Sequence, residues 1–128
     1  SFTAIENVML PLDIAKVTQK ESYERAKQLL SDLGLKERLE HLPKMLSGGE
    51  QQRVAIARAM INNPKVIFAD EPTGNLDIHT GQKVLELLFA LIKKYNKTLL
   101  VITHDLTLAE KMDRIFTLKE GKVIEITH

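Results

Sequence analysis

Two short apolar runs, Val66-Ile-Phe-Ala69 and Thr98-Leu-Leu-Val-Ile-Thr103, bracket a long amphipathic segment, and that succession leaves few folds open. Between them Val84, Leu87, Leu88, Leu91, Ile92 and Tyr95 recur at helical spacing and form one continuous stripe. Each run is apolar without alternation, which suits a short strand buried on both faces of a parallel sheet. Strand, helix and strand then make a β-α-β crossover, right-handed because of the twist of the strands. The strands end at Asp70 and at Thr103-His104. In open α/β sheets, ligands bind beyond the carboxyl ends of the strands. Both polar strand ends therefore fall on the same edge.

The residues before Pro64 read as helical. Thr18-x-x-Glu21 is a capping box, followed at helical spacing by Tyr23, Ala26, Leu29, Leu30 and Leu33, with Gly34 as the C-cap. His41-Leu-Pro43 marks a turn. Ser47-x-x-Glu50 is a second capping box, opening a helix that runs to about Asn62, where Pro64 prevents continuation. Towards the C-terminus, Asp105 caps a short helix holding Leu106, Ala109 and Met112. Arg114 to Leu118 and Lys122 to Ile126 alternate around Glu120-Gly121 and read as a hairpin.

Composition removes several classes of function. With 18 basic and 17 acidic residues the chain has no broad basic face for nucleic acid. Aromatics are few and Trp is absent, so base-stacking platforms are not indicated. The absence of Cys excludes disulfides, thiolate metal sites and Cys nucleophiles. The longest apolar run, Leu99-Leu-Val-Ile102, is far below the roughly 18 residues of a membrane span. The chain begins Ser1-Phe-Thr-Ala-Ile, without an initiator Met or the regions of a signal peptide, and reads as the middle of something longer.

The candidate chemistry lies at three places. Ser47-Gly48-Gly49 opens a helix, where free N–H groups and the positive dipole end favour an anion, and glycines allow a phosphate to approach the backbone. A bare Ser-Gly-Gly is otherwise an ordinary N-cap. Asp70 ends an apolar strand, where an unpaired carboxylate is costly unless it meets a cation such as Mg²⁺. Glu71 is next to it, and the bland reading of the two is a solvated pair at a strand end. His104 ends the second strand, a place where a histidine is ordinarily structural. His41, His79 and His128 have no such context and are expected on the surface. Arg53 and Arg58 are expected to pack or pair rather than to catalyse.

The run Leu46-Ser-Gly-Gly-Glu-Gln-Gln-Arg-Val-Ala-Ile-Ala-Arg-Ala59, followed by Val66-Ile-Phe-Ala-Asp-Glu71 and later by Ile102-Thr-His-Asp105, resembles the signature, acidic strand and switch histidine of ATP-binding cassette (ABC) ATPases, in the order that family uses. No phosphate loop of the form G-x-x-x-x-G-K-[ST] occurs. The resemblance covers essentially the whole chain. It implies an α/β fold, a P-loop NTPase-type (RecA-like) parallel sheet half plus the ABC helical subdomain, incomplete at the N-terminus. Residues 1–63 would be the helical subdomain with the signature helix, and residues 64–128 the C-terminal part of the nucleotide-binding core. The first twelve residues resemble the segment after the glutamine loop.

By that resemblance the cofactors are ATP and Mg²⁺. Ser47, Gly48 and Gly49 would bind the γ-phosphate of ATP held by an opposite subunit, with Gln51 near the ribose. Asp70 would hold Mg²⁺, Glu71 would orient the attacking water, and His104 would contact the γ-phosphate. Gly74-Asn-Leu-Asp77 resembles the D-loop that crosses the dimer interface, while Asp77 also reads as the cap of the long helix. The implied partners are a second ATPase subunit in a head-to-tail dimer and transmembrane permease subunits, with no nucleic acid. The implied location is cytoplasmic, peripheral on the inner face of the cell membrane. Without the phosphate loop, the 128 residues alone are expected neither to hydrolyse ATP nor to fold well.

Phe2-Thr-Ala-Ile-Glu-Asn-Val-Met-Leu-Pro-Leu12 and Ala69-Asp-Glu-Pro-Thr-Gly-Asn-Leu-Asp77 look most like the lipoprotein-releasing (LolD-type) ATPases. Macrolide- and peptide-export ATPases share much of this wording. So do cell-division ATPases, which act as nucleotide-gated scaffolds. Non-transport ATPases of DNA repair place long coiled coils between these motifs, which are close together here. An inert gene fragment is the bland alternative.

Overall fold

A computed structural model describes residues 2–14 and 17–126. Helices α1 (Ala4–Ile14), α2 (Gln19–Asp32) and α3 (Gly48–Met60) come first, with short 3-10 turns at Lys36–Arg38 and Pro43–Met45. Strand β1 (Val66–Asp70), helix α4 (Ile78–Lys94), strand β2 (Thr98–Ile102), helix α5 (Leu106–Glu110) and strands β3 (Ile115–Lys119) and β4 (Lys122–Ile126) follow. β1 and β2 pair in parallel, from Val66 opposite Thr98 to Asp70 opposite Ile102. β3 and β4 form the expected antiparallel hairpin, turning through Glu120 and Gly121, both at positive φ.

Local hydrogen bonding explains where the helices begin and end. Thr3 and Glu6 cap α1 reciprocally, at 2.9 and 3.3 Å, and the helix carries Pro11 in its body. That proline interrupts any sequence pattern here, and the Thr3-x-x-Glu6 box is the signal that marks the start. The Thr18 hydroxyl accepts from Glu21 N at 3.2 Å to open α2. α2 closes through Gly34 at φ +76°, with Gly34 N donating to Ser31 O and Leu35 N to Leu30 O. Arg53 of α3 donates to Leu33 O at 3.0 Å and to Gly49 O at 3.3 Å. It ties the end of α2 to the start of α3, in keeping with a packing role.

One cluster of buried side chains joins the elements. Ala4, Ile5, Val8 and Leu12 of α1 meet Ala26, Leu29 and Leu30 of α2, Val54, Ala57 and Met60 of α3, Ile67 of β1, and Val84, Leu88 and Leu91 of α4. Each fully buried Leu, Ile or Val contributes about 1.5–3 kcal/mol. On α2, Tyr23 lies on the predicted apolar stripe yet is exposed, and Ser22 is buried in its place with its hydroxyl unpaired. Ser22 and Ala26, one turn apart, put small side chains on the buried face.

The expectation that both parallel strands are buried on two faces is corrected. Ile67 is 4% exposed, but Phe68 is 69% and Ile102 57% exposed, with Val66 and Leu100 beside them. The pair has a packed face towards the helical cluster, and among the described residues nothing covers the other. Apolar runs therefore signalled strands correctly here while the burial on one side is absent.

Asp32, at the end of α2, is held from three sides. Tyr95 Oη donates to it at 2.6 Å, Lys94 Nζ at 3.0 Å and Gln28 Nε2 at 2.9 Å. Burial pushes this carboxyl up, but the Tyr95 hydroxyl, Lys94 and Gln28 outweigh it and hold it below its ordinary range. A carboxyl lowered in the fold stabilises the native state fully above its unfolded value of ~3.9, and that contribution is lost as pH falls through the lower folded value. Tyr95→Phe in the full-length protein is expected to cost about 1.5 kcal/mol at neutral pH and to flatten the acid limb below about pH 4. Denaturant midpoints measured across the acid range check this. Identical acid limbs in the two proteins would remove Asp32 from the account.

Candidate active site

The carboxyl ends of β1 and β2 sit side by side, because the two strands pair in parallel and in register. Glu71, the residue after β1, takes a left-handed φ of 47°. For a non-glycine residue this costs on the order of 1–2 kcal/mol and needs compensation from its surroundings. Its N–H donates to Ile102 O at 2.8 Å, extending the strand pairing by one bond. Its carboxylate accepts from His104 N at 2.8 Å through Oε1 and from Thr103 Oγ1 at 3.2 Å through Oε2. The His104 ring is fully exposed, with Nε2 3.9 Å from Glu71 Oε1. A half-exposed carboxylate and a free imidazole thus share one edge, able to orient water and to meet an anion.

Asp70 lies at the end of β1 and is exposed. The burial cost invoked for its carboxylate does not arise, because the strand's outer face is open. Among the described residues no group of three His, Cys, Asp or Glu gathers in a metal-binding arrangement. Mg²⁺ commonly takes one or two protein carboxylates and completes its shell with water and phosphate oxygens, and an accessible single carboxylate fits that habit.

The start of α3 approaches from the helical side. Ser47 is its N-cap, with Oγ accepting from Glu50 N at 3.1 Å and Glu50 Oε1 accepting from Ser47 N at 3.0 Å. The hydroxyl proton of Ser47 remains available to a ligand. The backbone N–H of Ser47 holds the Glu50 carboxyl below its ordinary range, with the Ser47 hydroxyl and Arg38 assisting. Gly48 is exposed. Gly49 is buried, and a Cβ there would lie 2.5 Å from Thr80 Cγ2 on α4. Its missing side chain is required by helix packing. Gln51 turns its amide to Pro43 O at 2.9 Å and Leu46 O at 3.2 Å, fastening the preceding turn.

Asp77 caps α4, accepting from Thr80 N at 3.2 Å. The Thr80 side chain and backbone hold this carboxyl below its ordinary range. The segment before it folds back on Glu71, with Gly74 N donating to Glu71 O at 3.1 Å. A cavity of ≈ 340 Å³ lies between α3 and this segment, lined by Gly48, Gln51, Glu71, Gly74 and Asn75 among others. Gly48, Gln51 and Glu71 are therefore brought together on one cavity, while Asp70, Asp77 and His104 stand outside its wall. His79 is exposed and His41 half-buried, and Arg58 is exposed. His128 lies outside the described residues. Sequence reasoning passed over Thr80, which fills the notch at Gly49. A threonine one turn into a helix carries no signal until the helix facing it is known.

A family model described as ABC transporter matches residues 2–74. The chain is 54% identical over 125 residues to the lipoprotein-releasing system ATP-binding protein LolD 2 of Rhodopseudomonas palustris, a match covering 98% of this chain and 54% of that protein. It is 52% identical over 122 residues to the lipoprotein-releasing system ATP-binding protein LolD of Legionella pneumophila, covering 95% and 54% respectively. The chain spans about half the length of the curated relatives it matches. It is also similar to the dimeric structure of a post-hydrolysis state of the ATP-binding cassette MJ0796 bound to ADP and Pi. That match has a TM-score of 0.78 at 42% identity and covers 99% of this chain and 58% of the other.

Proposed function

Because this chain belongs to the ABC transporter family, we propose that it is the signature-bearing part of a subunit that binds and hydrolyses ATP to drive lipoprotein release through separate membrane subunits. The fold is α/β, of the P-loop NTPase type expected from the sequence, with β1 and β2 as a parallel pair. The observation that carries the catalytic reading is the meeting of Glu71 and the His104 segment at the adjacent strand ends. Relatives at 54% and 52% identity are named for lipoprotein release, which favours that branch over the macrolide-export and cell-division ones.

In this reading residues 1–63 form the helical subdomain and residues 64–128 the C-terminal part of the core. Two subunits meet head to tail, so that Ser47, Gly48 and Gly49 of one face the γ-phosphate bound by the other, with Gln51 beside the ribose. Asp77 and its loop lie at the interface. Asp70 is the Mg²⁺ ligand, Glu71 positions the attacking water, and His104 donates towards the γ-phosphate. When bound, Mg²⁺ supplies charge neutralisation at the phosphates. The protein's own part is positioning: the Glu71 carboxylate is fixed by two donors, and the α3 N-terminus offers N–H groups and a positive dipole to the anion. Among the described residues no helix is long and apolar enough to cross a membrane. The permease subunits would supply the membrane path, with this subunit held at its inner face.

The test is Mg²⁺-dependent release of phosphate from ATP by the full-length protein, alone and with its membrane subunits in vesicles carrying a lipid-anchored polypeptide. ATP turnover coupled to release of that polypeptide is expected. ATP turnover without coupling would leave an ATPase of another branch, and no turnover in either form would remove the reading.

A further inference from the structure

The Thr103 hydroxyl is placed between two partners that fix the direction of its proton. The Asp105 N–H donates to Thr103 Oγ1 at 2.9 Å, occupying an acceptor position. The Glu71 carboxylate offers only acceptors, so the single hydroxyl proton points to Glu71 Oε2 at 3.2 Å. Asp105 is itself held, because its Oδ1 accepts from Thr107 N and Leu108 N at the start of α5. A chain of bonds therefore runs from α5 through Asp105 and Thr103 to Glu71. The other carboxylate oxygen takes the backbone N–H of His104. Two donors on different oxygens set both the position and the rotation of the carboxyl plane. One of them is a side chain that substitution can remove.

We infer that Thr103 is a positioning residue for Glu71, holding its carboxylate in the orientation needed to direct the attacking water. The inference rests on the reading of Glu71 given above. Glu71 sits on a left-handed backbone just past the end of β1, and the hydrogen bonds to its carboxylate come from Thr103 and His104. Without the Thr103 donor, the carboxylate keeps one bond and can rotate about it. Water orientation is an effect of geometry, so the loss falls on kcat more than on ATP binding.

The test uses the full-length protein with Mg²⁺ and ATP, comparing Thr103→Val, Thr103→Ser and Glu71→Gln. Valine keeps the branched shape and removes the donor, and serine returns it. Thr103→Val is expected to lower kcat about tenfold with KM for ATP nearly unchanged, the effect of losing one hydrogen bond to a charged group. Thr103→Ser is expected to return most of the lost turnover, and the denaturation midpoint of Thr103→Val to stay near that of the unmodified protein. Undiminished kcat in Thr103→Val, a loss that serine does not repair, or a loss that follows a fallen midpoint would each overturn the inference. Glu71→Gln separates this from the parent reading: if it retains full turnover, the reading of Glu71 itself is wrong.

Discussion

Glu71→Gln in the full-length protein is expected to reduce ATP turnover by at least about 100-fold while leaving ATP binding intact. Glutamine keeps the size of the side chain, but it loses the negative charge and one of the two acceptor oxygens that meet Thr103 and His104. An amide can also turn its NH₂ towards the His104 N–H, placing donor against donor. In the proposed site the phosphate contacts, not this carboxylate, hold ATP, so binding is expected to persist. Two subunits that close on ATP and cannot hydrolyse it should then accumulate as the closed dimer, a population shift towards the state with higher nucleotide affinity. Phosphate release and size-exclusion chromatography with ATP measure the two effects. Undiminished turnover, or a monomer under saturating ATP, would count against the assignment.

Gly49→Ala is expected to destabilise the full-length protein by about 1–3 kcal/mol, through overpacking against Thr80. The added methyl would lie 2.5 Å from Thr80 Cγ2. Helix propensity works in the opposite direction, favouring alanine over glycine by up to about 1 kcal/mol. The clash wins because Thr80 is β-branched, stiff at its first torsion, and held within α4. Thr80→Ser removes the methyl that obstructs, so the double substitution Gly49→Ala with Thr80→Ser should recover most of the lost stability. Denaturation midpoints of the two single variants and the double variant decide it. Additive losses would show that the notch is not the cause. If the double variant regains stability but not ATP turnover, Gly49 serves packing and phosphate approach separately, and the two roles are divided by one experiment.

Much of the site could be read without the structure because its parts are local. A capping box links residues three apart, so Ser47 and Glu50 announced the start of α3, and the bonds between them are present at 3.1 and 3.0 Å. Asp77 and Asp105 cap their helices in the same way. The shared edge of Glu71 and His104 followed from two strands joined by one helix, since a parallel pair places both carboxyl ends together. Burial was read less well. Val66, Ile67, Phe68 and Ala69 promised a strand covered on both sides, and half of that promise failed because cover is supplied by other segments. Tyr23 fell outside the core while Ser22 entered it, because the rotation of α2 about its axis is set by what packs on it.

Sequence alone determined the order of elements from α2 onward, the starts of α2 to α5, the two parallel strands and the edge shared by Glu71 and His104. These depend on hydrogen bonds and apolar spacing within a few residues, and each short stretch carries its own instruction. Only the tertiary structure decided that Gly49 must accommodate Thr80, that Asp32 is clasped by Lys94 and Tyr95, and that Thr103 holds Glu71. Those contacts join residues far apart in the chain. They exist because the buried faces of α1, α2, α3 and α4 settle against one another as a group, fixing distances that no local pattern contains.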